Sequence, residues 1–169
     1  MLRLPSSFRP NAVLLAAALA TLSGCATPVF KDAPPASAPP AEVAGAPERY
    51  HGADVVWGGK ILAVRNQVDT TEVQVVAYPL DRAQRPKPSA PTEGRFIVVL
   101  PGYAEALDYP AGRFLTVHGH IEGTRAIRID DRDVVYPLLQ RDALRLWPAN
   151  FPDDGPHFSF GFGVGVGIH

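Results

Sequence analysis

The sequence predicts an all-β fold: a small barrel, closed or partly open, of five to six strands over residues 50–148. Three observations predict it. The apolar residues of this region come in short runs broken by Gly, Pro and Asp, which is how strands are punctuated. No long stretch carries the 3.6-residue stripe of an amphipathic helix. Finally, Gly58-Gly59 interrupts the first apolar run, the device by which one long strand bends to serve both sheets of a barrel.

Taken from the N-terminus, residues 1–24 read as an export signal. Arg3 and Arg9 stand without an acidic residue before the apolar run 12–22 (AVLLAAALATL), which is about half the roughly 20 residues a spanning helix needs. A plain secretory signal would be cut after Ala18-Leu19-Ala20. Leu22-Ser23-Gly24-Cys25 instead resembles the lipobox of bacterial lipoproteins, in which small residues let the chain enter the peptidase and the thiol takes a diacylglyceryl group. Cys25 is the only cysteine of the chain, so no intrachain disulfide or cysteine cluster competes for it. Each buried acyl methylene contributes ~0.8 kcal/mol, and two or three chains make Cys25 a lasting attachment to a lipid bilayer. Ala26 stands where Asp would signal inner-membrane retention, so the expected place is the outer membrane, periplasmic face. Residues 25–49 read as the lipidated cysteine and an extended Pro/Ala-rich linker. Six prolines and seven alanines among residues 26–49 predict neither helix nor sheet there, and a reach of up to roughly 70 Å.

The strands follow. Residues 55–65 (VVWGGKILAVR) form the first and 66–69 its turn; 71–78 (TEVQVVAY) and 95–100 (RFIVVL) form the second and third. The fourth is 113–121 (RFLTVHGHI), in which Leu115, Val117, Gly119 and Ile121 share a dry face while Thr116, His118 and His120 share a wet one. Asp130, Asp131 and Asp133 lack the spacing, glycine and closing Glu of a calcium loop and read as a hairpin turn. Residues 133–139 (DVVYPLL) and 143–147 (ALRLW) are the last pieces, Pro137 marking an edge or bulge. Such strands closing on themselves are of the oligonucleotide/oligosaccharide-binding (OB) type, which does not imply that function.

Four stretches, "VVWGGKILAVRN", "VVAYPLDRAQRPKP", "EGRFIVVLPGYAEALDYPAGRFLTVHGHIEG" and "VVYPLLQRDALRLWP", resemble the Slp family of starvation-inducible outer membrane lipoproteins. Trp57-Gly58-Gly59, Tyr78-Pro79-Leu80, Gly94-Arg95-Phe96, Tyr136-Pro137 and Leu146-Trp147-Pro148 carry the resemblance over about 100 residues, and Ala111 loosens a Pro-Gly-Arg-like spacing. The resemblance implies an outer membrane lipoprotein linked to starvation or envelope stress. It brings no catalytic residues.

The chemistry on view is sparse. A formal net charge of −1 offers no clustered positive field for nucleic acid, and no such partner is expected. His118 and His120 could ligate a metal, but no third ligand is identifiable and a wet wall is the expected role; neither metal nor cofactor is expected. None of Ser37, Ser89 and Ser159 sits in a nucleophile elbow, and the chain is not expected to be an enzyme. Trp57, Tyr78, Tyr136 and Trp147 invite ligand stacking, although aromatics of this kind more often plug small barrels. In the tail, residues 149–169, Phe158, Phe160 and Phe162 alternate with Ser159, Gly161, Gly163 and Gly165. An extended chain there would be apolar on one side and bare on the other, and the readings are disorder, edge pairing, self-association or membrane contact. The function expected is a non-catalytic envelope role through binding or assembly, with a homo-oligomer or an envelope protein as partner; the alternative is a binding module for a cell-wall saccharide or small envelope ligand.

Overall fold

A computed structural model describes residues 27–34 and 37–152. Five strands, β1 (Asp54–Asn66), β2 (Thr70–Ala77), β3 (Arg95–Pro101), β4 (Phe114–Ile129) and β5 (Arg132–Leu146), close into a ring in the order β1-β2-β3-β5-β4. All neighbours are antiparallel except β3 and β5, whose parallel seam is only Ile97↔Leu138 to Val99↔Gln140. The expected small OB-like barrel is therefore present, closed through one narrow seam.

β1 makes closure possible by serving two partners. Asp54 to Lys60 pair with β4 and Gly59 to Asn66 with β2. At Gly59 both ladders meet, and a Cβ there would lie 1.9 Å from the Val76 carbonyl oxygen, so only glycine lets β2 approach. The bulge falls a few residues later, where the register skips Leu62. Val55, Trp57, Val73, Phe96, Leu115 and Val117 are among the side chains that fill the interior.

Three sequence expectations are corrected. Residues 133–139 and 143–147 belong to one strand: the polar Gln140-Arg141-Asp142 reads as a break but is a bulge, since His118 pairs with Ala143 and Gly119 with Arg141. β4 continues eight residues past Ile121, because a second bulge at Glu122 shifts the pairing from Ile121↔Leu139 to Gly123↔Leu138. That one-residue slip turns the far half of the hairpin over. Ile127, Ile129, Val134, Tyr136 and Leu138 then pack on Ile97 and Val99, the outward side chains of β3. Arg95 donates to the Tyr136 hydroxyl (3.0 Å), and Arg125 pairs with Glu72, which is buried on the outside of β2. Pro137 sits just before the β3 seam begins, where β5 has β4 alone beside it, so its missing N–H breaks no ladder.

The third correction concerns the linker and the limits of the domain. Residues 40–50 form two short helices, α1 (Pro40–Gly45) and α2 (Pro47–Tyr50), each beginning with proline, which suits the first helical position because its N–H would be unpaired there. Val43 is fully buried in the barrel core. Ala41 donates its N–H to the Glu93 carbonyl, Trp57 Nε1 donates to Ala38 O (2.8 Å), and Val56 N–H donates to Ser37 Oγ (2.8 Å). Further upstream, Phe30 N–H donates to Gln84 Oε1 (2.7 Å) and Gln84 Nε2 donates back to Phe30 O (3.2 Å), while Val29 packs against Phe114, Trp147 and Phe151. What reads as a spacer is thus docked on the barrel. Phe151 is buried too, beyond the expected boundary at 148. Cys25 and the tail residues Phe158, Phe160, Phe162, Gly161, Gly163 and Gly165 lie outside the described residues.

Candidate functional site

The outer wall of β1, β4 and β5 carries a cluster of ionisable side chains. Because Leu115, Val117 and Ile121 point inward, His118 and His120 point out, as expected, and Asp54 on β1 lies directly opposite His120. Asp142 is the extra residue of the β5 bulge. Donor atoms of Asp54, His118 and Asp142 all lie within 4.8 Å of one another, and His120 Nδ1 is 3.6 Å from Asp142 Oδ2. The Phe30 ring stands 6.0 Å from that of His118, and residues 29–33 with His118 and Ala143 line a cleft of about 400 Å³. The histidines are visible in sequence; Asp54 and Asp142 are not, since only the register of three strands brings them there.

The aromatic candidates are placed differently. Trp57 is buried, tilted against Phe96 with ring centres 5.1 Å apart, and Tyr136 is buried beneath the hairpin. Trp147 is buried on the outside of the barrel: Nε1 donates to Thr116 Oγ1 (2.9 Å), whose hydroxyl donates to Gln84 O (2.7 Å), and Phe151 stacks on the ring. The guanidiniums of Arg85 and Arg145 lie over the indole at 5.4 and 4.9 Å. Arg113 Nη2 donates to the Trp147 carbonyl at 2.6 Å. Only Tyr78, half-buried 6.2 Å from Phe114, combines exposure with a concave setting, a cleft of about 270 Å³ shared with Ser37, Trp57, Leu80 and Glu93. A wider groove of about 800 Å³ runs between α1 and the β4–β5 hairpin, lined by Ala41, Ala44, Arg95, Ile129, Arg132 and Val135 among others.

With this geometry in hand, comparison with known proteins is decisive for the family. The Outer membrane lipoprotein Slp family matches residues 22–161. The chain belongs to the Slp family. The match takes in Cys25 and the residues that precede the first strand, wider than the roughly 100 residues whose motifs carry the resemblance, and it agrees with a domain that includes Val29, Val43 and Phe151. Among relatives of this Slp-family chain, an uncharacterized lipoprotein, YeaY, of Escherichia coli (strain K12) is 31% identical over 131 residues, covering 75% of this chain and 66% of the relative. An uncharacterized protein of Haemophilus influenzae (strain ATCC 51907 / DSM 11121 / KW20 / Rd) is 31% identical over 107 residues, 63% of this chain and 58% of its own. The chain thus spans about three fifths to two thirds of these relatives. Among solved structures, Schizosaccharomyces pombe Pot1pC bound to single-stranded DNA is 10% identical with a TM-score of 0.31, covering 61% of this chain and 84% of that one, a likeness too slight to bear on fold or function.

Proposed function

We propose that this Slp-family protein is a non-catalytic module of the outer membrane, tethered by acylated Cys25 and held close against the periplasmic surface, where it serves envelope structure or stress adaptation by binding or assembly. One observation carries the reading: Val29 and Phe30 are already docked on the barrel four residues after Cys25. A chain of that length spans at most about 14 Å, so acylation would bring the β4–β5 wall to the lipid headgroups instead of suspending the domain on a long spacer. Arg85 and Arg145 over Trp147, with the exposed Lys31 nearby in sequence to the docked pair, suit such a boundary of phosphates and apolar chain. Mass spectrometry of the mature N-terminus tests the tether. A diacylglyceryl mass on Cys25 is expected; a free thiol, or a start elsewhere, overturns it.

The second reading is a binding module for a saccharide or small envelope ligand, favoured by the groove between α1 and the hairpin. OB barrels commonly bind through the outer face of β2 and β3, and here the chain's own hairpin covers that face at Ile97 and Val99. Assembly therefore ranks above ligand capture. A thermal-shift screen of the detergent-purified protein with cell-wall saccharides separates the two, since saturable stabilisation belongs to the binding module alone.

A further inference from the structure

The ionisable wall supports an inference that does not depend on the lipid anchor. We infer that Asp54, His118 and Asp142 form a site for a divalent transition-metal ion, zinc being best matched to an imidazole and carboxylate donor set.

The backbone builds this cluster. In unbroken register Asp142 would lie opposite Gly119, a position on the inward face with Val117 and Ile121, and its carboxylate would enter the core. The bulge takes Asp142 out of that alternation and sets it beside the histidines, the use to which bulges near functional groups are put. Gly119 permits the distortion, since a Cβ there would lie 2.1 Å from the Gln140 carbonyl oxygen. The donors come from three separate strands, so they are held by the ring sheet and not by a loop.

The spacing is suitable. Tetrahedral zinc with ligand bonds of about 2.0–2.2 Å sets neighbouring donors roughly 3.4 Å apart. The three donor atoms already lie within 4.8 Å, and the exposed carboxylates of Asp54 and Asp142 close the rest by rotamer adjustment. Two carboxylates so placed repel each other unless a cation lies between them. Phe30 packs by the His118 ring and limits its rotation, and His120, 3.6 Å from Asp142, needs only a small side-chain shift to hydrogen-bond that carboxylate as a positioning residue. The ion would tie β1 to β5 across β4 beside the docked residues 29–33.

Isothermal titration of the full mature protein in detergent, stripped with a chelator and then titrated with zinc sulfate, tests the site. One saturable zinc per chain is expected. His118→Ala and Asp142→Asn should each weaken it by more than the roughly 10- to 100-fold typical of losing an outer partner, His120→Ala should fall inside that range, and His51→Ala should change nothing. Far-UV circular dichroism checks folding, and Asp54→Asn, at an exposed strand start, is the substitute if His118→Ala does not fold. Cobalt(II) gives a second readout, its visible bands vanishing in His118→Ala and Asp142→Asn and persisting in His51→Ala. Absence of saturable zinc uptake, or undiminished uptake in the His118→Ala/Asp142→Asn double variant, overturns the site.

Discussion

At Gly59 one hydrogen atom decides whether the barrel closes. A methyl group there would overlap the Val76 carbonyl, a backbone atom that cannot rotate aside, so Gly59→Ala must separate β1 from β2 where both ladders meet. A loss of about 3 kcal/mol or more is expected in denaturant unfolding, a size reserved for overpacking of this kind. Gly112 gives the contrast. Its φ is +89° but nothing stands within 4 Å of its missing side chain, so Gly112→Ala should cost only about 1 kcal/mol, from backbone strain alone. Thr116 makes a similar argument in polar terms. It is fully buried, accepts from the Trp147 indole and donates to Gln84, so Thr116→Val keeps the shape but orphans a buried N–H and a carbonyl. About 1–3 kcal/mol should be lost on chemical denaturation, with a change in tryptophan fluorescence.

At the scale of elements, Val43 anchors α1 in the core, and Val43→Ala should lower stability by about 1–3 kcal/mol, whereas an extended spacer would show no change. α2 is held to α1 by Tyr50 donating to the Glu42 carboxylate, and that hydrogen bond raises the Tyr50 phenol above its usual range. The sign follows: the contribution is complete below the unfolded value of about 10 and is lost as pH rises through the higher folded value. Tyr50→Phe should remove this alkaline component from the pH dependence of the unfolding midpoint. These helices leave little trace in the sequence. The first three strands are legible to within a residue or two because their alternation and turn residues are local signals. Proline in 39–47 reads as a breaker, yet at a first helical turn it breaks nothing, and a single valine among alanines gives no periodicity to detect. Gln140-Arg141-Asp142 looks like a turn since a bulge and a turn both expose polar residues, and telling them apart needs the partner strand. The same limit hides Asp54 and Asp142 from the histidines they adjoin: a register spanning three strands is no property of any one of them.

For the molecule as a whole, the proposed tether bears on which wall would face the membrane. The docked Val29 and Phe30 emerge over β4 and β5, while the hairpin tip at Asp130-Asp131 belongs to the element that folds over β3, on another side of the ring. If acylated Cys25 holds the barrel by a four-residue leash, these two places must differ in distance from the bilayer. The chain has no other cysteine, so once Cys25 is acylated an introduced thiol is unique and can carry a fluorescent label. Arg145→Cys, exposed on the β5 wall, and Asp131→Cys, exposed at the hairpin tip, should then respond unequally to headgroup-attached quenchers in reconstituted vesicles, Arg145→Cys being strongly quenched and Asp131→Cys weakly. Adding Val29→Asp, Phe30→Ser and Gln84→Ala to the labelled proteins removes the apolar, ring and hydrogen-bond contacts that dock the leash. The domain then gains the freedom of the stretch before Ser37, where the hydrogen bonds from Val56 and Trp57 take hold, and the difference between the labels should shrink. Equal quenching with the docking residues intact would mean that the wall is not held to the surface, whatever lipid Cys25 carries.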